Sequence, residues 1–314
     1  MHYDEVKLYE GREDVRLTAY ILDDSVEMLN GGKKGAILIC PGGGYLYCSD
    51  REGEPVAMAF AAMGYHTFVL RYSVYNENKG ANTLENIFPD MSKPWVEKPN
   101  VKFPGPVRDV GRAMLYIKEH ATDWHIDMEK VALCGFSAGG HNCLMYSIYY
   151  NQPIVTDFLG IGTEGLRPAA VVLGYTASDY MPLVSEDAEN NPMTNAINLA
   201  LMGTDGITDK ELAMKLSPCR LVNENTPPMF LWTTAIRLIN LKRVPLRFAP
   251  GQSTRGLAGE CMEIRQRHHT ISCCSKYPHH HALLSIDATH YLDYTMALVY
   301  GQSTSKNLLF SQIR

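Results

Sequence analysis

A serine in a glycine-rich turn is the first candidate for chemistry. Ser137 is the central residue of a Gly-x-Ser-x-Gly pentapeptide at 135–139. An apolar run at 131–134 predicts a buried strand before it, and a helix is predicted to begin near Gly140. A strand, a sharp turn and a helix in this order form a nucleophile elbow, where the flanking glycines let other backbone approach the serine. This pattern predicts that Ser137 is a nucleophile; the alternative is a serine in an ordinary glycine-rich turn.

Three consecutive glycines follow an earlier predicted strand at 36–40. In serine hydrolases, backbone N–H groups from such a loop and from the residue after the nucleophile stabilise the oxyanion of the transition state. We therefore expect the N–H of Gly43 or Gly44, together with that of Ala138, to form the oxyanion hole. The alternative is a tight turn without a ligand. The two motifs, in this order, predict ester or amide hydrolysis.

The elements predicted around these motifs alternate between strands and helices. Apolar runs at 67–72, 169–174 and 229–233 predict further strands, and apolar residues at helical spacing over 107–121 predict an amphipathic helix. Such alternation is typical of a mostly parallel sheet with helices on both faces. The polar segments 75–106 and 176–216 interrupt this pattern, and we expect them to form a small lid.

The composition is that of a globular chain of 314 residues with 46% hydrophobic residues and a net charge of −5. The negative charge argues against nucleic acid as a partner, and no apolar run reaches the length of a membrane span. The N-terminal residues show no secretory signal, and eight irregularly spaced cysteines favour reduced thiols. We expect a cytoplasmic protein without a membrane partner. Its partner would be a small-molecule ester, and the sequence leaves a homo-oligomer open.

Several segments together resemble the α/β-hydrolase superfamily, and within it the esterases related to acetylxylan esterases and sugar-ester hydrolases. The matching segments are 39–45, 49–55, 71–73, 108–110, 135–141 and 226–230. The resemblance implies an α/β-hydrolase fold in one domain spanning residues 1–314. It also implies a serine esterase that cleaves short acyl esters, such as acetyl groups on sugars or xylo-oligosaccharides, without a cofactor or metal.

The resemblance also implies positions for the other two members of a catalytic triad. His269 falls where the family has its catalytic histidine, and His281 is the second candidate for this base. The triad acid is expected just after the strand at 229–233, but Arg237 stands at that position. The acid is therefore left unassigned. Loss of a triad acid costs up to about 10⁴-fold in turnover.

The segment 236–314 departs from the rest of the chain. It is basic and rich in histidine and cysteine, whereas acidic residues prevail before it. The family pattern fades after 235 and returns near His269, and we interpret the segment as divergent or frame-scrambled. Its histidines and cysteines match no zinc-ligand spacing. The alternative functions are an arylformamidase- or peptidase-like hydrolase, or a homologue whose catalysis is impaired by the missing acid.

A short charged run, Asp50-Arg51-Glu52, follows the glycine loop. Two interpretations remain open for it: it contacts the substrate, or it caps a helix and forms ion pairs there.

Overall fold

An eight-stranded sheet organises the protein. The computed structural model describes residues 1–27, 31–78, 87–184 and 191–234, and three short strands beyond them. The strand order is β1-β2-β4-β3-β5-β6-β7-β8, and a separate pair is formed by β9 and β10. The strands are His2–Lys7, Arg16–Ile21, Lys34–Cys40, His66–Arg71, Ile126–Phe136, Val171–Gly174, Met229–Thr234, Met262–Ile264, Thr270–Ile271 and Leu284–Ser285, numbered β1 to β10.

The strands from β3 to β8 run parallel to one another. Only β2 reverses direction in the large sheet, and it pairs antiparallel with β1 and with β4. The carboxyl ends of β3, β5 and β6 therefore meet at one edge of the sheet. This edge is where open parallel sheets place their ligand sites.

Six helices are described, in addition to short 3₁₀ turns. They are Glu54–Ala61, Gly105–Glu119, Ser137–Tyr149, Pro153–Leu159, Pro192–Met202 and Lys210–Lys215, numbered α1 to α6. Among the described residues, none of these helices combines the length and hydropathy that a membrane span requires.

The two faces of the sheet carry separate hydrophobic clusters because successive side chains of a strand point to opposite faces. Along β3, Ile37 and Ile39 pack with Val56 and Phe60 of α1. On the other face, Leu38 belongs to the larger cluster, which includes residues of α2, α3 and α5. The prediction of a mostly parallel sheet with helices on both faces is confirmed.

Two local expectations are wrong, and one strand has no counterpart among the predicted elements. The helix after the serine begins at Ser137 itself rather than near Gly140, because the turn of the elbow continues directly into α3. The last two residues of the expected insertion at 75–106 belong to α2, which begins at Gly105. The strand β1 was not predicted, since it has no buried residue and exists through its pairing with β2.

Candidate active site

Unusual backbone conformations cluster at the carboxyl edge of the sheet. Positive φ angles occur at Gly43 (133°), Gly44 (65°) and Tyr45 (58°) after β3, at Ser137 (49°) after β5 and at Tyr175 (39°) after β6. A residue other than glycine pays free energy to hold such an angle, so these conformations persist only where the surrounding structure imposes them. Their concentration beside the predicted nucleophile marks this edge as the candidate site.

The elbow has the predicted backbone shape. Ser137 is partly exposed at the junction of β5 and α3. A side chain cannot replace the glycines on either side of it: a Cβ at Gly135 would lie 2.5 Å from the carbonyl oxygen of Gly139, and one at Gly139 would lie 2.1 Å from that of Cys40. The first turn of α3 thus lies directly against the end of β3. The hydroxyl of Thr176 donates a hydrogen bond of 3.0 Å to the Ser137 carbonyl oxygen.

The glycine loop packs against the serine. A Cβ at Gly42 would lie 2.9 Å from the Cβ of Ser137 and 2.8 Å from the carbonyl oxygen of Phe136. The Gly42 N–H donates to Oε2 of Glu52 at 2.7 Å, so it is not available to an oxyanion. Among the described residues, the N–H groups of Gly43 and Gly44 have no hydrogen-bond partner.

The buried Ala138 lies in the first turn of α3. The N–H groups of a helix's first turn have no partner within the helix, and they carry its positive dipole end. Ala138 therefore stays a predicted oxyanion donor together with Gly43 and Gly44, and the structure brings the elbow and the glycine loop into contact.

A buried hydrogen bond anchors the far end of the glycine loop. Tyr45 and His141 are both about 1% exposed, and the Tyr45 hydroxyl lies 2.7 Å from Nδ1 of His141. The other ring nitrogen lies 2.9 Å from the Leu216 carbonyl oxygen. Since a carbonyl only accepts, Nε2 carries the proton and Nδ1 accepts from Tyr45. Desolvation lowers the pKa of His141 to about 4, which keeps the ring neutral at pH 7.

The sequence model of one protein family, described as BD-FAE, matches residues 75–236, about half of the chain. The chain belongs to the BD-FAE family. Endo-1,4-beta-xylanase B of Butyrivibrio fibrisolvens is 30% identical over 223 residues, covering 69% of this chain and 28% of the xylanase. "Probable carboxylic ester hydrolase LipM" of Mycobacterium tuberculosis is 25% identical over 133 residues, covering 42% of this chain and 30% of LipM. This BD-FAE chain thus spans less than a third of the length of either relative.

Solved structures of hydrolases resemble the BD-FAE chain as well. A carboxylesterase of Lactobacillus plantarum has a TM-score of 0.53 and 26% identity, covering 75% of this chain and 72% of that one. The acetyl ester-xyloside bifunctional hydrolase of Caldicellulosiruptor lactoaceticus has a TM-score of 0.51 and 25% identity, covering 74% of each. The predicted α/β-hydrolase fold is confirmed.

In this BD-FAE chain the two insertions contact each other and the glycine loop. The Phe103 N–H donates to the Leu201 carbonyl oxygen at 2.8 Å, which joins the first insertion to α5. Ile197 of α5 lies over Gly44, where an added Cβ would be 3.0 Å from its Cγ1. The insertions therefore lie side by side next to the predicted oxyanion hole, and their role as a lid stays a prediction.

A charged cluster holds the segment that follows the glycine loop. Arg71, at the end of β4, forms ion pairs with Asp50 at 2.7 Å and with Glu54 at 3.2 Å. Its Nη1 also donates to the Cys48 carbonyl oxygen at 3.3 Å. Of the two interpretations left open for residues 50–52, Asp50 fits the ion-pairing one. Glu52 instead turns toward Gly42.

One buried carboxylate near the end of β6 was not singled out from the sequence. Asp179 lies five residues after β6, where it receives two hydrogen bonds from Arg220, at 3.0 and 2.6 Å, and one from Ser217 at 3.1 Å. Burial opposes its charge, but the hydrogen bonds from Arg220, Met181 and Ser217 outweigh it and lower its pKa. Asp179 is thus engaged in joining the second insertion to the turn at 218–220.

The remaining predicted residues lie outside the described part of the chain. These residues are His269, His281 and Arg237. Their roles stay predictions, and the triad acid stays unassigned. The strand β8 pairs in parallel with β7, so its carboxyl end lies at the same edge of the sheet as that of β5.

Proposed function

We propose that this BD-FAE chain is a serine carboxylic-ester hydrolase that removes short acyl groups, above all acetyl, from sugars or xylo-oligosaccharides. The observation that carries the proposal is the contact between the elbow and the glycine loop. Ser137 holds a φ of 49° at the first turn of α3, against a loop whose Gly43 and Gly44 N–H groups have no partner among the described residues. Strained backbone clusters at functional sites, and acyl transfer needs N–H donors beside the nucleophile to stabilise the oxyanion.

The reaction proceeds in two steps. The Ser137 hydroxyl oxygen attacks the ester carbonyl while His269, as the base, takes its proton. The negative oxygen of the tetrahedral intermediate accepts hydrogen bonds from Ala138 and from Gly43 or Gly44. The intermediate collapses, His269 protonates the departing alcohol, and an acyl-enzyme remains. Water then attacks the acyl-enzyme in the same manner and releases the carboxylic acid and free Ser137.

The substrate class rests on the relatives. One structural relative is described as an acetyl ester-xyloside hydrolase and one sequence relative as a xylanase. The position of Ile197 also favours a small acyl group, because this side chain lies against Gly44 and narrows the space beside the predicted oxyanion hole. An acetyl group needs less room there than a long acyl chain.

Hydrolysis of p-nitrophenyl acetate tests the reaction. We expect turnover by the wild-type protein and its loss in Ser137→Ala. Ser147→Ala is the matched control, since Ser147 lies on the same helix but donates to the Cys143 carbonyl oxygen within it. A fluorophosphonate should label the wild type on the peptide that contains Ser137, as read by mass spectrometry. Turnover that survives in Ser137→Ala would contradict the proposal.

The acyl and alcohol preferences need a second comparison. We expect p-nitrophenyl acetate to be cleaved faster than the octanoate, and acetate to be released from acetylated xylo-oligosaccharides.

The same assays distinguish the alternative functions. If the folded protein neither hydrolyses the esters nor reacts with the fluorophosphonate, it is a homologue whose catalysis is impaired. Arg237 at the expected acid position favours that second candidate. Cleavage of N-formyl amides in preference to esters would indicate the arylformamidase-like alternative.

A further inference from the structure

Glu52 bridges two loops on either side of the predicted nucleophile. Its Oε2 accepts the N–H of Gly42, in the loop after β3, at 2.7 Å. Its Oε1 accepts the hydroxyl hydrogen of Tyr175, the residue directly after β6. The strand β5, which leads into Ser137, lies between β3 and β6 in the sheet. A single carboxylate thus joins the backbone on both sides of the elbow.

The carboxylate is held in place before any substrate binds. Glu52 ends a 3₁₀ turn, and its N–H donates to the Ser49 carbonyl oxygen at 3.2 Å. The same turn is tied to β4 by the 2.7 Å ion pair between Asp50 and Arg71. A side chain on so constrained a turn can fix its hydrogen-bond partners without a large loss of its own entropy.

The bond to Glu52 fixes the orientation of the peptide groups that follow. Gly42 is held at both of its polar atoms, because its carbonyl oxygen also accepts the Ser49 N–H at 2.9 Å. With these two atoms fixed, the direction of the next N–H groups, those of Gly43 and Gly44, depends on only a few backbone torsions. Oxyanion donors are effective only when they are aimed in advance at the position where charge develops.

We propose that Glu52 is a positioning residue of the ester-hydrolysis site: by accepting hydrogen bonds from Gly42 and Tyr175, it holds the glycine loop in the orientation that aims the next N–H groups of the loop at the oxyanion. This inference rests on the proposed function. The essential property of Glu52 is that its side chain makes one hydrogen bond to each loop, and its charge is secondary.

Two substitutions separate these properties. Glu52→Met keeps the length of the side chain but removes both acceptors. Glu52→Gln loses the charge, yet its oxygen can accept the Gly42 N–H while its amide donates to the Tyr175 oxygen, since a hydroxyl both donates and accepts. Glu119→Met is the matched control, because it makes the same substitution at the end of α2, where Glu119 forms an ion pair of 3.6 Å with Arg112.

The first readout is the kinetics of p-nitrophenyl acetate hydrolysis. We expect Glu52→Met to lower kcat by about ten- to hundredfold, with KM within about threefold of the wild type. The hydrogen bonds from the glycine loop to the oxyanion form only in the transition state, so a misaligned donor slows the reaction without weakening substrate binding. Glu52→Gln should retain kcat within about threefold. Equal kcat in Glu52→Met and Glu119→Met would overturn the proposal, and so would a Glu52→Gln variant as slow as Glu52→Met.

The second readout needs no turnover. We follow hydrogen exchange by mass spectrometry in a peptide covering residues 41–46. Its exchange should be faster in Glu52→Met than in the wild type, whereas in Glu52→Gln and Glu119→Met the peptide should exchange at the wild-type rate. If the wild type does not hydrolyse esters, the proposed function fails, and exchange alone decides the role of Glu52. Unchanged exchange in Glu52→Met would then overturn it.

Thermal unfolding of each variant separates positioning from general loss of fold. If Glu52→Met does not fold, Tyr175→Phe takes its place, because it removes one of the two bonds to the carboxylate and leaves the other. We expect about a three- to tenfold loss of kcat in Tyr175→Phe and faster exchange in the 41–46 peptide. If Tyr175→Phe has the kcat of the wild type and the same exchange rate in the 41–46 peptide, the proposal is overturned.

Discussion

Protonation of His141 is expected to weaken the fold between neutral and mildly acidic pH. The neutral ring accepts the Tyr45 hydroxyl at Nδ1 and donates from Nε2 to the Leu216 carbonyl oxygen. The ring also packs at 4.6 Å between centroids against the buried Tyr180. A proton on Nδ1 would leave the Tyr45 hydroxyl without its acceptor and place a charge among aromatic side chains, which is why desolvation lowers the pKa of His141.

The size of the effect follows from the two pKa values. The pKa of His141 is about 4 in the folded protein, against an ordinary value of 6.5 for the unfolded chain. Between these values the unfolded state binds more protons, so the stability falls as the pH falls. Linkage gives a loss of about 2 kcal/mol between pH 7.5 and pH 5 from this residue alone. For a chain of this size, that corresponds to a decrease in Tm of about 3 °C.

The measurement is urea unfolding of the wild type and of His141→Gln at both pH values. We expect His141→Gln to be less stable at pH 7.5 by about 1–3 kcal/mol, through lost hydrogen bonding. Between pH 7.5 and pH 5, the free energy of unfolding should fall by about 2 kcal/mol less in His141→Gln than in the wild type. His66, whose pKa is also lowered to about 4 by burial, is present in both proteins and cancels in this difference.

The control is His2→Gln, at an exposed position on β1, which should keep the full wild-type loss between pH 7.5 and pH 5. An equal loss of stability in His141→Gln and in the wild type would refute the reasoning, because the ring would then titrate alike in the folded and unfolded states.

Two further predictions concern packing and buried polar contacts. Gly139→Ala places a Cβ 2.1 Å from the Cys40 carbonyl oxygen, so it should cost about 1–3 kcal/mol in urea unfolding and lower esterase turnover. The control is Gly162→Ala, where no atom lies within 4 Å of the added Cβ, and its free energy of unfolding should stay within about 0.5 kcal/mol of the wild type. Equal stability of Gly139→Ala and Gly162→Ala would contradict the close contact at Gly139. Asp109→Leu should cost about 1–3 kcal/mol, since the buried carboxylate accepts both the Ser73 N–H at 2.8 Å and the Tyr9 hydroxyl at 2.9 Å, and leucine has no polar atom to replace either bond. A free energy of unfolding equal to that of the wild type would show that these two hydrogen bonds add nothing to stability.

The features that the sequence predicts best are those encoded in contiguous residues. The elbow at Ser137 and the loop at Gly43 and Gly44 follow from local requirements, because glycine lacks the Cβ that would clash where these turns pack closely, and it adopts positive φ angles readily. The parallel sheet follows from apolar runs that alternate with helical periodicity. The role of His269 comes from resemblance, and that of His281 from a run at 278–281 that is typical of a loop after a strand; both residues lie outside the described part of the chain.

The tertiary structure decides which distant residues meet. Glu52 and Tyr175 are 123 positions apart, and His141 meets Tyr45 across 96 positions. The sequence leaves Glu52 open between a substrate contact and a helix cap, because no local pattern shows which loop its carboxylate reaches. The edge strand β1 likewise has no apolar signal of its own and depends on its partner β2. Such contacts form only when the sheet brings the ends of separate strands to one edge, and the spacing of residues along the chain does not encode that proximity.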